Sequence, residues 1–340
     1  MATYFADFDL TTGNNDGTSW ANAWQTLQRA HDGTGGTQPT AGDIVLCKGT
    51  DTTSATTTIT SDGTYNGGFI KWIGVAASYT GSDPVAGNTG GSNRATIDAN
   101  GGAFSCLTFN GANYQWFENF RFTNTNKLSN RNGVDFLTAT SDYATMVNCV
   151  ADNCYVGFFS SSGYGRGTRF IRCLAHSNAN YGFYNRYADW FFCRAYANTS
   201  HGIYMYGGSA LGCISHDNGT DGFYMYGASN ATNCVSVGNT GDGFELSLAT
   251  PTITNGIVGC RAANNAVGIN SSANQRVIVI GFYGDNTTET SGSYDEVLND
   301  GTSILQLNGT DTDEGFASVA SDDYSLTSSA TLRRTAIAIP

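Results

Sequence analysis

Proline, lysine and charge are scarce: the 340 residues hold 4 prolines, 3 lysines (Lys48, Lys71 and Lys127) and 13% charged side chains. So few prolines leave long stretches of backbone free to pair as strands. No apolar run reaches the roughly 18 residues that a membrane-spanning helix needs. The chain enters its fold without a basic and then apolar leader, so no signal peptide is expected. Acidic residues outnumber basic ones, 28 against 16, for a net charge of −12. That balance excludes the basic stripe of a nucleic-acid binder. It also disfavours a polyanionic substrate unless calcium bridges the two acidic partners, and a neutral or weakly charged glycan fits better. The nine cysteines include no paired Cys-x-x-Cys, so no zinc or other metal site is assigned.

What the sequence does have is a repeat. Cys149, Cys173, Cys193, Cys213, Cys234 and Cys260 follow one another in steps of 24, 20, 20, 21 and 26 residues. Gly157, Gly182, Gly202, Gly222, Gly243 and Gly268 run in phase with them. Five residues after the later cysteines stand Asn178, Asn198, Asn218, Asn239 and Asn265, while the first copy puts Cys154 in that slot. A fixed period of this size means stacked like units, each burying its neighbour's apolar face. Each period holds two short alternating runs separated by turn residues, which read as strands. Twenty residues leave little room for a helix, and the Leu-rich horseshoe signature is missing. The fold class is therefore all-β: a parallel β-helix, a solenoid whose rungs lie about 4.8 Å apart.

Alternation assigns the faces. Phe158, Phe183, Ile203, Phe223, Phe244 and Ile269 should point inward, beside outward Phe159, Tyr184, Tyr204, Tyr224, Glu245 and Asn270. The cysteines, and the small residues two places after them, should also face inward. Stacked in a large core, they are expected as buried thiols rather than disulfides. The asparagines are expected inside the turns, bonding along the stack. The sequons at Asn198 and Asn218 then lie where no glycan could fit.

The repeat from about Asn148 to Gly281 resembles the right-handed, pectate-lyase-like parallel β-helix superfamily, which includes polysaccharide lyases and phage tailspikes and implies a right-handed coil here. The opening, with Tyr4–Phe5, Asn15-Asp16-Gly17 and Ser19-Trp20-Ala21-Asn22-Ala23-Trp24, is similar to the strand and short helix that begin many such proteins. Ser19 is the expected N-cap of that helix, with Ala21, Trp24, Leu27 and Ala30 at helical spacing. The expected organisation is an N-terminal strand and capping helix (1–45), the β-helix (46–310, most regular over 148–281), and a C-terminal cap on the last rung (311–340).

Between glycine and the next cysteine the length varies, so the long connections fall on one side of the coil. Those at 161–168 and 248–255 should raise walls around a trough floored by Tyr184, Arg186, Tyr204, Tyr206, Tyr224 and Tyr226. Such a stripe could be a platform for sugar rings, a structural ladder or a subunit contact. One place before the glycines stand His201, Asp221 and Asp242, with Glu245 close by. Carboxylates about 5 Å apart suit a retaining glycosidase. The same groups could hold calcium, the one cofactor this pattern admits, or be ordinary turn residues.

The resemblance supplies no catalytic assignment. Its lyases use an Arg or Lys base beside calcium-binding aspartates, and its hydrolases use Asn-Thr-Asp, Asp-Asp and His-Gly elements. Here Asp322-Asp323 lies in the tail and His201-Gly202 stands alone. Two classes stay open. One is a glycan-contacting structural protein, virion-associated or extracellular after release, of the tailspike, fibre or capsid-surface kind, for which the resemblance implies a homotrimer. The other is a polysaccharide lyase or glycoside hydrolase working through Asp221, Asp242, Glu245 and His201.

Overall fold

The computed structural model describes residues 1–83, 94–137, 142–160, 166–247, 254–280, 282–286, 288–298, 316–318 and 323–326. The expected trough walls at 161–165 and 248–253, and nearly all of the expected cap at 311–340, lie outside the described residues.

Each turn of the coil contributes to three stacks of parallel strands, one more than the two runs expected per period. The first sheet stacks Thr57–Ile59, Leu107–Phe109, Val134–Phe136, Phe158–Ser160, the leading halves of Phe183–Phe191, Ile203–Leu211 and Phe223–Thr232, and then Phe244–Ser247. The second runs from Thr3–Asp7 through Ile44–Lys48 and Ile70–Gly74 to the trailing halves of the long strands. The third runs from Thr50–Thr52 to Tyr283–Asp285. The extra corner escaped the sequence reading because the first two sheets meet inside one continuous strand on the compact rungs. Phe183–Phe191 turns that corner at Tyr187, whose φ is 53°. A second left-handed residue per rung turns the chain toward the third sheet: Asn119, Asn148, Arg172, Phe192, Gly212, Asn233 and Gly259.

The inward columns are as expected. Phe158, Phe183, Ile203, Phe223, Phe244 and Ile269 are buried, and Phe158–Phe183 and Phe223–Phe244 stack face to face. All nine cysteines are free and buried. Their thiols donate to carbonyls of the preceding rung: Cys173 to Met146 at 3.2 Å, Cys193 to Phe170 at 3.3 Å and Cys213 to Trp190 at 3.5 Å. Burial pushes the Cys149 and Cys193 thiols well above their ordinary range, which keeps those two thiols protonated.

The asparagines form an unbroken chain. Nδ2 of Asn178, Asn198, Asn218, Asn239 and Asn265 donates to Oδ1 of the next asparagine, each at 2.9 Å and ending on Asn286. The same amides also reach back to Ala151, Ala175, Ala195, Ser215 and Ser236 carbonyls. Cys154 N–H donates to Asn178 Oδ1, so the irregular first copy does occupy the ladder slot. The sequon asparagines Asn198 and Asn218 are buried in this chain.

The N-terminal residues hydrogen-bond to strands at the start of two stacks, though not as one helix from Ser19. Trp20–Asn22 is a single 3₁₀ turn, and Ser19 makes no side-chain cap. The α-helix is Leu27–Asp32, capped by Thr26, whose side chain accepts from Arg29 N–H. Trp24 instead pairs with the backbone of the edge strand: Trp24 N–H donates to Phe5 O, and Asp7 N–H to Trp24 O. Helical side chains satisfy the other open edge. Gln28 Oε1 accepts from Thr58 N–H at 2.7 Å, and His31 Nε2 accepts from Thr60 and Ser61 N–H, both at 3.0 Å. Exposed strand edges invite aggregation, and these bonds close them. Among the described residues no helix is long and apolar enough to cross a membrane.

Candidate functional site

The register of the first sheet sets one outward row: Thr108, Asp135, Phe159, Tyr184, Tyr204, Tyr224, Glu245 and Asn270. The rings stack along it, Phe159–Tyr184 at 5.3 Å, Tyr184–Tyr204 at 4.4 Å and Tyr204–Tyr224 at 4.7 Å. Burial and the neighbouring phenols raise the Tyr204 hydroxyl well above its ordinary value, so it stays a proton donor. A second row, two residues on, aligns Arg186, Tyr206 and Tyr226. Tyr206 and Tyr226 lie 4.7 Å apart, and the Arg186 guanidinium sits 3.9 Å above the Tyr206 ring. All six predicted floor residues therefore share one face. Ring faces in the first row cover one another. What the row presents outward is ring edges and hydroxyls.

The predicted acidic residues and histidine also converge, in a different pairing. His201 Nδ1 lies 2.9 Å from Asp221 Oδ2 and 2.8 Å from Thr220 Oγ1. Among the described residues, no hydrogen bond is made by His201 Nε2. Asp221 Oδ1 accepts from Asp242 N–H at 2.7 Å, while Asp242 Oδ2 accepts from Asn270 Nδ2 at 2.7 Å. Burial, with the charge of Asp221 adding to it, raises the Asp242 carboxyl, and bonds from Asn270 and Glu245 oppose the rise. The two aspartates thus have different bonding partners: Asp221 meets His201 and the Asp242 backbone, and Asp242 meets Asn270. One orients a histidine, and the other shares its proton environment with Glu245. Glu245 keeps its outward register but is nearly buried. Among the described residues no three His, Cys, Asp or Glu side chains converge as a metal centre, so the calcium alternative gains no support from this cluster.

Two members of the face were missed in the sequence. Tyr181 precedes Gly182 as His201 precedes Gly202, and its ring stacks on His201 at 5.3 Å and 8°. Asp135 heads the aromatic row from the rung of Gly133, which continues the glycine series one copy earlier. Asn132 Nδ2 donates to Asp135 Oδ2 at 3.1 Å, and burial raises this carboxyl to about 6. The folded protein therefore still holds a proton there between about pH 4 and 6, where an unfolded chain has released it. The burial penalty is absent below that window and fully present above it. Stability should fall as pH rises through 6, and Asp135→Asn, which never ionises, should be spared. The expected gain of the variant is about 2 kcal/mol at pH 7.5 and near zero at pH 4, read by urea titration at both values.

No family model and no curated protein sequence matches the chain. Solved structures do. A pectate lyase, Pel9A, matches with a TM-score of 0.67 and 14% identity, over 98% of this chain and 90% of its own. A rhamnogalacturonan lyase matches with 0.65 and 13%, over 95% and 92%. An alginate lyase from Paenibacillus sp. matches with 0.57 and 11%, over 87% and 99%. At these identities the likeness establishes architecture. The chain has the pectate-lyase-like parallel β-helix fold, shared over almost its whole length with these lyases.

Proposed function

We propose that this protein binds a polysaccharide along the outward face of its first sheet. The observation that carries the reading is the in-register double row, Tyr184, Tyr204 and Tyr224 beside Arg186, Tyr206 and Tyr226, on a rigid stack of parallel strands. Hydroxyl-bearing aromatic edges at a repeat of about 4.8 Å suit a chain of polar rings lying along the axis. That three lyases of this fold are named for pectate, rhamnogalacturonan and alginate supports the ligand class. The nine free cysteines support a setting: a chain folded in a reducing compartment that meets glycans after release, as a component of a phage particle would. A trimeric native mass would agree with that setting.

The test is binding of the intact protein to a polysaccharide panel, with Tyr206→Ala/Tyr226→Ala alongside. Binding should weaken by about tenfold or more while the circular dichroism and melting temperature stay close to wild type. Equal affinity in the double variant would remove the reading.

A catalytic reading draws on one specific feature, the His201–Asp221 pair. A carboxylate at Nδ1 fixes the ring and favours a proton at the opposite nitrogen in the transition state. The same panel, assayed for new reducing or unsaturated ends, separates turnover from binding.

A further inference from the structure

Among the described residues, the first strand of the first sheet, Thr57–Ile59, pairs on one side only, with Leu107–Phe109. Alternation divides its backbone between the two sides. Thr57 N–H donates to Cys106 O and Ile59 O accepts from Asn110 N–H, so these groups face the next rung. The amides of Thr58 and Thr60 face the other way, and side chains of the helix Leu27–Asp32 stand in for a strand there. Gln28 Oε1 accepts from Thr58 N–H at 2.7 Å, while its Nε2 donates to Thr58 O at 3.4 Å. His31 Nε2 accepts from Thr60 and Ser61 N–H, both at 3.0 Å.

Both bonds to His31 need a lone pair on Nε2. Its Nδ1 lies 2.9 Å from Asp32 Oδ1, which also accepts from Gln28 Nε2 at 2.9 Å. One arrangement satisfies all of these contacts: a neutral imidazole with its proton on Nδ1. A second proton, on Nε2, would point at two N–H donors from a residue that is 1% exposed. Burial lowers the His31 pKa, and the bond to Asp32 and its charge oppose the fall. Other carboxylates on the elements packed around it are engaged elsewhere. Asp51 accepts from Leu27 N–H at 2.7 Å, Asp62 accepts from Asn113 N–H at 2.7 Å, and Asp7 pairs with Lys48 at 3.4 Å. Arg29, two residues earlier on the helix, adds a positive charge that disfavours imidazolium.

We propose that His31 is an acid-released latch, whose protonation at Nε2 frees the helix from Thr57–Ile59 and leaves the Thr58, Thr60 and Ser61 amides bare. Above the ordinary imidazole value of about 6.5 the closed and released forms are both neutral, and the latch holds with full strength. As pH falls, the released form takes up the proton first, and the latch is lost through the lower value of the closed form. What it uncovers is an unpaired strand edge, the kind of backbone that recruits a further strand. The latch stands apart from the glycan reading, because Thr58 lies four rungs before Tyr184, through Thr108, Asp135 and Phe159.

Hydrogen exchange on the intact protein tests this, with protection of residues 57–61 corrected for the intrinsic pH dependence of exchange. Protection should fall about tenfold or more between pH 7.5 and pH 4.5, while residues 203–206, in mid-stack, keep theirs. His31→Gln keeps an acceptor and cannot ionise, so its protection should be the same at both pH values. Asp32→Asn keeps the acceptor for Nδ1–H but removes the charge that favours imidazolium, so release should move to lower pH. In the unsubstituted protein, the ring signals of His31 should titrate below the ordinary value and in step with the loss of protection. A flat profile in wild type, or a His31 midpoint detached from the loss of protection, overturns the latch. An equal fall in His31→Gln assigns release to Asp51 or Asp62 and overturns it as well, as does release of Asp32→Asn at an unchanged or higher pH.

Discussion

Asn218→Ala is expected to lower the unfolding free energy by about 4 kcal/mol, among the largest single losses available in this chain. Asn218 accepts from the backbone N–H of Asn198 at 3.2 Å and from its side-chain amide at 2.9 Å. Its own amide donates to Asn239 Oδ1, Ser215 Oγ and Ala195 O. Alanine deletes one residue but strands buried groups on the rungs above and below. Each stranded group costs about 1–3 kcal/mol, because water cannot reach it. The whole ladder is also a polarised chain, so a break in its middle weakens bonds at a distance. Chemical denaturation read by circular dichroism measures the loss. Ser200→Ala, on the partly exposed side of the turn one rung earlier, is the control and should change stability by less than about 0.5 kcal/mol. A loss no larger in Asn218→Ala than in the control would mean that the ladder contributes nothing net.

Gly182→Ala adds a single methyl group, yet it should cost about 3 kcal/mol. The new carbon would lie 2.6 Å from Gly202 O, 2.9 Å from Asn198 Nδ2 and 3.2 Å from Ala195 Cβ. Two of these contacts are with backbone and with the asparagine ladder, neither of which can move without breaking bonds. Gly157, one rung earlier, meets an equivalent set: Gly182 O, Asn178 Nδ2 and Ala175 Cβ. The glycine series is thus kept by close approach of successive rungs. Its companion test is Gly101→Ala, where the methyl would meet only Thr125 Oγ1 at 3.3 Å and the strain comes from a φ of 74°. That variant should cost about 1 kcal/mol. Equal losses in the two would show that crowding between rungs is not what selects glycine.

These two residues show how far the sequence could be read. The spacing of the cysteines, glycines and asparagines was enough to place residues about twenty apart as vertical neighbours. From that followed the inward columns, the free thiols and the ladder. The same logic brought Tyr184, Arg186, Tyr204, Tyr206, Tyr224 and Tyr226 to one face, because alternation along a strand leaves a side chain two choices. Asp135 and Tyr181 were legible by extension, since both hold fixed offsets from glycines of the series. The N-terminal helix was misplaced for a local reason. Helical spacing from Ser19 competes with pairing of Trp24 onto the open edge of Thr3–Asp7, and burying a tryptophan against unpaired backbone wins over propensity.

Other features depend on contacts that no periodicity encodes. The bend inside Phe183–Phe191 falls within one continuous strand, so the division between the first and second sheets was invisible. Arg172 and Phe192 take a left-handed conformation that their types do not announce, because the corner between the second and third sheets demands it of whichever residue falls there. Which carboxylate pairs with which is decided by side-chain direction at a turn. Asp221 thus turned out to hold His201, and Asp242 to meet Asn270 and Glu245.

By itself the sequence determined the stacking, because a repeat is a statement about which residues share a neighbour. Tertiary structure decided the chemistry of the face. Ring faces closed on one another, two aspartates took different partners, and the Arg186 guanidinium settled over the Tyr206 ring. Those outcomes turn on ångström-scale orientation, which residue order constrains only through the fold it builds.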